Sequence, residues 1–251
     1  MIPARPQRQL EALIFDVDGT LADTERDGHR IAFNEAFRSA GYDWHWDVPL
    51  YGALLSVTGG KERIRHYLEQ FHPQQLEAPD IQTTIADLHK AKTRCYVDMV
   101  ASGAVPMRPG VARLIAEARA AGLRLAIATT TTPENVTVLL ESSLANGATR
   151  WFEVIGAGDV VPAKKPAPDI YHWVLERLGL PASACLAFED SDNGLRAARG
   201  AGLATIVTTN DYTLTHNFEG AAAVLPDLGV DDAADPVTVA RLRDWHASQG
   251  S

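Results

Sequence analysis

Residues 13–21 read Leu13-Ile14-Phe15-Asp16-Val17-Asp18-Gly19-Thr20-Leu21, an apolar run that breaks into two carboxylates, a glycine and a threonine. Apolar residues without polar alternation suit a central parallel strand covered on both faces. Gly19 supplies the turn out of the sheet. Asp16 and Asp18 then sit at the carboxyl end of that strand, where open α/β sheets bind their ligands. Two acidic side chains one residue apart repel each other at neutral pH, and a hard divalent cation relieves the repulsion. Magnesium fits oxygen ligands of this kind best. An Asp pair taken alone also fits an ordinary turn, since Asp favours turns.

The chain of 251 residues is long enough for one large domain or two small ones, and its 46 % hydrophobic content suits a globular core. The net charge of -9, with no extended Lys/Arg cluster, argues against a nucleic-acid surface. Cys95 and Cys185 are isolated and predict free thiols in a reducing compartment. Residues 1–9 lack the apolar stretch of a signal peptide, and no run approaches membrane-spanning length. A cytoplasmic monomer without nucleic-acid or membrane partners is expected.

After Thr20 the pattern turns helical. Thr24 is a candidate N-cap, and Ile31, Ala32, Ala36 and Phe37 recur at helical spacing until Gly41. Stripes at Ile64, Tyr67, Leu68, Phe71 and at Leu88, Ala91, Cys95, Met99 predict further helices, so residues 22–105 read as an all-helical insertion. Trp44 and Trp46 are expected to be core. From Met107 onward strands and helices alternate. Strands are expected at 124–128, around 154–155, at 185–188 and at 204–207, and helices open near Pro109, Thr132, Pro168 and Ser191. The fold class is α/β: a Rossmann-like parallel sheet with helices on both faces, built from residues 1–21 and 106–251. Gly156-Ala157-Gly158-Asp159 lacks the third glycine of a dinucleotide loop, and Pro162 follows where the helix should run, which excludes that reading.

Four stretches in order carry a family resemblance: Asp16-Val17-Asp18-Gly19-Thr20; Thr129 closing the strand 124–128; Lys164-Lys165-Pro166; and Glu189-Asp190-Ser191 after Leu186-Ala187-Phe188. Together they resemble the signatures of the haloacid dehalogenase-like hydrolase superfamily, and the helical insertion resembles its α-helical cap domain. The resemblance implies Asp16 as nucleophile toward phosphorus and Asp18 as general acid and base. It implies magnesium held by Asp16, by the backbone carbonyl of Asp18 and by Asp190, with Glu189 a further or alternative ligand. Thr129, Lys165 and the amides near Thr130 and Thr131 would then receive the phosphate. The overall negative charge would repel such a substrate, so the cation and local Lys/Arg groups must overcome it.

Within the superfamily the chain resembles the CbbY-type phosphatases, relatives of β-phosphoglucomutase and phosphoglycolate phosphatase. The likeness is carried by Thr24-Glu25 and His29, by Thr58-Gly59-Gly60-Lys61-Glu62-Arg63, by Lys90-Ala91-Lys92, by Lys165-Pro166-Ala167-Pro168-Asp169 and by Glu189-Asp190-Ser191. Glu25 and His29, four apart, are expected to face a cleft between cap and core. Gly59 and Gly60 before Lys61, Glu62 and Arg63 read as a helix start beside two cations, a grip for a second phosphate in which Lys61 and Arg63 act together. Lys92 completes the expected substrate contacts. The resemblance implies hydrolysis of a small sugar phosphate, xylulose 1,5-bisphosphate. A mutase, a phosphoglycolate-type phosphatase and a non-catalytic metabolite-binding protein are the competing readings, and Thr20 favours hydrolysis over the mutase, whose relatives often carry Val there.

Overall fold

The computed structural model describes residues 9–103, 105–229 and 235–248. The readings made on residues 1–8, 231–234 and 249–251 lie outside the described residues. Among the described residues six parallel strands form the sheet: β1 (Ala12–Phe15), β2 (Arg124–Ala128), β3 (Val154–Gly156), β4 (Cys185–Glu189), β5 (Ala204–Thr208) and β6 (Ala223–Leu225). Their order is β3-β2-β1-β4-β5-β6, which puts β1 inside the sheet with a partner on each side. Phe15 lies opposite Ile127 on one flank and Phe188 on the other, so the residues that follow these three positions gather at one edge.

The two-residue period of a strand sorts side chains between two cores. Leu13, Phe15, Leu125, Ile127, Leu186 and Phe188 fill one, while Ala12, Ile14, Ala126, Ala128, Cys185 and Ala187 face the other. Among the described residues four α-helices fall within positions 22–105: α1 (Arg30–Ser39), α2 (Val48–Leu54), α3 (Gly60–Phe71) and α4 (Ile81–Ala101). The remaining helices are α5 (Val111–Ala120), α6 (Pro133–Ser143), α7 (Asp169–Leu178), α8 (Asp192–Gly200) and α9 (Val239–Ser248). Helices α5, α6 and α9 cover the large-residue face. The small residues of the other face let α7 and α8 pack close.

The inserted helices have a core of their own, with Phe33, Phe37, Trp44, Trp46, Tyr51, Tyr67 and Leu68 in mutual contact. Trp44 and Trp46 are buried there, as expected of large aromatics. Ala32, Tyr96 and Val100 belong instead to the cluster of the main sheet, so α1 and α4 serve both halves. Three helical stripes differ from the pattern in the sequence. Ile31 and Phe71 are exposed, and α1 buries Phe33 beside Ala32 instead. The buried stripe of α4 is Leu88-Lys92-Tyr96-Val100, not 88-91-95-99, because it includes a charged residue that an apolar pattern passes over. Thr24 does not cap the helical turn Glu25–His29 with its side chain. The helix near Pro109 begins at Val111, with Gly110 in the left-handed region at φ 80°. Strand β6 was not anticipated; three half-exposed residues at a sheet edge carry almost no periodic signal.

Candidate active site

Parallel strands end together, and the residues beyond them meet at one edge. There Asp16, Glu189 and Asp190 place carboxylate oxygens within 4.8 Å of one another, all three buried. Lys165 reaches the same point from the loop before α7. Its Nζ donates to Asp16 Oδ1 at 2.7 Å and to Glu189 Oε1 at 2.6 Å. Tyr171 Oη also donates to Glu189 Oε1. Lys165 and Tyr171 engage only Oε1 of Glu189, and its Oε2 is buried without a hydrogen-bond partner, so all three carboxylates offer oxygens to a cation. Burial pushes the Asp16 carboxyl up to about 7 against the lowering effect of Lys165, with Glu189 adding to the rise. Asp190 is pushed well above the usual range by burial and by its acidic neighbours. Burial opposes the charge on Lys165, but Asp16 and Glu189 hold its ammonium above its ordinary value. One ammonium among three buried carboxyls leaves an excess of negative charge on hard oxygen donors, which fits a divalent cation.

The loop after β1 closes on itself, with Gly19 N–H donating to Ala22 O at 2.8 Å and Leu21 N–H to Val17 O at 2.8 Å. A second carboxylate emerges from this loop and turns toward the inserted helices. Thr24 Oγ1 donates to Asp18 Oδ1 at 2.5 Å, His29 Nε2 donates to the same oxygen at 2.7 Å, and Lys92 Nζ donates to His29 Nδ1 at 2.8 Å. Burial alone would raise the Asp18 carboxyl, but His29, Thr24 and Lys92 hold it well below the ordinary carboxylate value. Burial also depresses the Lys92 ammonium to about 8, partly offset by Asp18 and Glu25. Thr24, unanticipated in this role, spends on Asp18 the hydroxyl that a helix cap would have used.

The cleft above these groups is lined on the sheet side by Asp16, Asp18, Thr129, Thr130, Lys165 and Asp190, and on the helical side by Glu25, Thr58 and Arg63. Arg63 Nη1 donates to Tyr51 Oη at 2.8 Å, Tyr51 Oη donates to Glu25 Oε2, and Arg63 lies 3.7 Å from that carboxylate. Lys61 stands apart from Arg63. Its Nζ lies 2.5 Å from Asp159 Oδ2 on the loop after β3, outside the cleft wall, because positions two apart on a helix such as Lys61 and Arg63 do not share a face. Gly59 and Gly60 open α3, as the sequence predicts, but neither they nor Glu62 line the cleft. His29 and Lys92 stand behind Asp18. Thr131 is buried beside Asn135, and its N–H donates to Thr129 Oγ1 at 3.3 Å, so of the three threonines 129–131 the first two line the cleft.

Sequence reasoning passed over Tyr51, Arg108 and Asn210. Arg108 is buried and donates to the carbonyls of Gly19, Thr208, Thr209 and Pro226, fastening the Asp18–Gly19 loop to the end of β5. Asn210 follows β5 at the same carboxyl edge, and that edge rule alone would have marked it.

The family model "haloacid dehalogenase-like hydrolase" matches residues 10–202, a span that takes in the strand-end carboxylates and Lys165. The chain belongs to this family and is an enzyme of its phosphatase class. It is 51 % identical over 249 residues to protein CbbY, plasmid, of Cupriavidus necator, an alignment covering 94 % of this chain and 97 % of that protein. The crystal structure of CbbY from Rhodobacter sphaeroides in complex with phosphate superposes with a TM-score of 0.80 at 48 % identity, covering 87 % of this chain and 95 % of that one. A mutant of the same protein was solved in complex with xylulose-(1,5)bisphosphate, with the same score, identity and coverage. No helix among the described residues is long and apolar enough to cross a membrane.

Proposed function

We propose that the protein is a magnesium-dependent phosphatase that converts xylulose 1,5-bisphosphate to xylulose 5-phosphate. The carrying observation is the cleft itself, which has a buried carboxylate cluster with Lys165 on its floor and an arginine, Arg63, on its opposite wall. A substrate with two phosphates matches that pair of poles, and it is the ligand named for the 48 % identical structure.

In this reading residues 22–105 form a cap over a core of residues 1–21 and 106–251. Asp16 attacks the phosphorus, the bond from phosphorus to the sugar oxygen breaks, and an aspartyl-phosphate forms. Asp18, ionised in the free site, takes up a proton as the negatively charged phosphate enters, delivers it to the departing oxygen, then takes one from the water that attacks the aspartyl-phosphate. That second step frees inorganic phosphate and restores Asp16. His29 and Lys92 hold Asp18 in place for both transfers. Lys165 and the hydroxyl of Thr129 receive the phosphoryl oxygens. Asp16, Asp190 and the backbone carbonyl of Asp18 would hold magnesium, which would supply charge neutralisation at those oxygens. Arg63 binds the second phosphate, with Tyr51 and Glu25 fixing its guanidinium.

A panel of phosphorylated sugars assayed with magnesium, and again with chelator, tests the reading. The expected result is chelator-sensitive release of one phosphate from the bisphosphate. Transfer of the phosphoryl group to another sugar position without release would instead make the protein a mutase. Absence of turnover would leave a binding protein.

A further inference from the structure

Three observations converge on the turn that follows β5. The side chain of Asn210 is committed at both ends: Nδ2 donates to Asp190 Oδ2 at 2.7 Å, and Oδ1 accepts from Tyr212 N at 3.0 Å. Gly19 in the Asp18–Gly19 loop makes the space for this pair. A Cβ at Gly19 would lie 2.2 Å from Asp190 Oδ2 and 2.7 Å from Asn210 Nδ2. Two residues beyond Asn210, the Tyr212 ring packs on the inserted helices. Its carbons lie 3.1 and 3.2 Å from where a Cβ on Gly52 would stand, and its centroid is 6.2 Å from that of Tyr51, which holds Arg63.

We propose that Asn210 is a positioning residue that orients Asp190 for the divalent cation, and that Tyr212 ties this orientation to the seating of the inserted helices on the sheet. The inference rests on the reading of Asp190 as a magnesium ligand. A carboxylate oxygen that binds metal needs its partner oxygen fixed by a neighbouring donor, or the side chain swings between rotamers. For Asp190 the demand is greater, because Asp16 and Glu189 both repel it. The Nδ2 amide supplies the donor. The Tyr212 N–H bond prevents the amide from turning away, and the Gly52 contact links it to the far wall of the cleft.

Isothermal titration of magnesium into the full chain tests the proposal with Asn210→Ser, Tyr212→Ala and Asp190→Ala beside the wild type. Serine keeps a short side-chain acceptor for Tyr212 N but falls short of Asp190. Asn210→Ser is expected to weaken magnesium binding about 10- to 100-fold, and saturating magnesium should restore kcat. Tyr212→Ala is expected to weaken it roughly 2- to 30-fold. Where Asn210→Ser does not fold, Asn210→Thr carries the same test. Wild-type magnesium affinity in the position-210 variant overturns the positioning role, as does a kcat that stays low at saturating metal. An unchanged Tyr212→Ala overturns the tie to the helices. If the wild type does not bind magnesium, or Asp190→Ala binds it equally well, the magnesium reading fails instead.

Discussion

At the scale of single residues the site is a set of charges held where burial opposes them. Lys92 lies against Phe33 and Tyr96, with Nζ 5.1 and 5.2 Å from their ring centroids. Its folded pKa of about 8 lies below the ordinary 10.5. For a depressed lysine the stability contribution is fully present above 10.5 and is lost as pH falls through 8. Replacing Lys92 with Met removes this dependence. Between pH 8 and 10.5 the wild type should gain stability relative to Lys92→Met by up to about 1.4 kcal/mol per pH unit, as denaturant titrations at several pH values would show. Parallel curves would mean that Lys92 titrates normally. The same variant should turn over slowly, because His29 loses the donor that steadies it against Asp18. Asp16→Asn should remove activity altogether, since an amide is a poor nucleophile and a weak metal ligand. Substantial turnover by purified Asp16→Asn would sink the assignment.

At the scale of elements, the first turn of α3 and the loop after β1 make separate predictions. Arg63 faces the cleft while Lys61 pairs with Asp159 outside it, so their substitutions should diverge. Arg63→Ala should lower kcat/KM for a sugar bisphosphate by roughly ten- to a hundredfold, the equivalent of a charge-assisted contact of about 1.5 to 3 kcal/mol. It should spare a small phosphomonoester, which has no second phosphate to lose. Lys61→Ala breaks a half-exposed pair worth about 0 to 1 kcal/mol and should change either rate only a few-fold. Equal damage from both variants on both substrates would count against a second-phosphate site. In the loop, Gly19 stands at φ 80°, and a methyl group there meets Asp190 and Asn210. Gly19→Ala should therefore fold yet bind magnesium far more weakly, since the clash falls on a proposed ligand rather than on the core. Calorimetric magnesium affinity equal to that of the wild type would show that the loop yields without cost.

At the scale of the whole molecule, the sheet was legible wherever burial imposed a simple rule. Strands β1, β2, β4 and β5 are apolar runs, and the chemistry of Asp16, Thr129, Glu189 and Asp190 follows from their position at the ends of such runs. The three-residue strand β6 was illegible, and so was the buried stripe of α4, because Lys92 interrupts the apolar pattern with a charge that only the tertiary fold accounts for. Arg63 and Lys61 looked alike in sequence, and only the orientation of α3 separates them. Asn210 and Arg108 act through bonds to residues 20 and 89 positions away, distances over which no local pattern reports. The proposed reaction runs through one carboxylate, that of Asp16, and the decisive measurement is of that group. Protein quenched in acid during turnover of xylulose 1,5-bisphosphate with magnesium, then digested and analysed by mass spectrometry, should carry one phosphoryl group on the peptide containing Asp16. The label should disappear as substrate is exhausted. Turnover at full rate with phosphate on no residue, or on a residue other than Asp16, would contradict it.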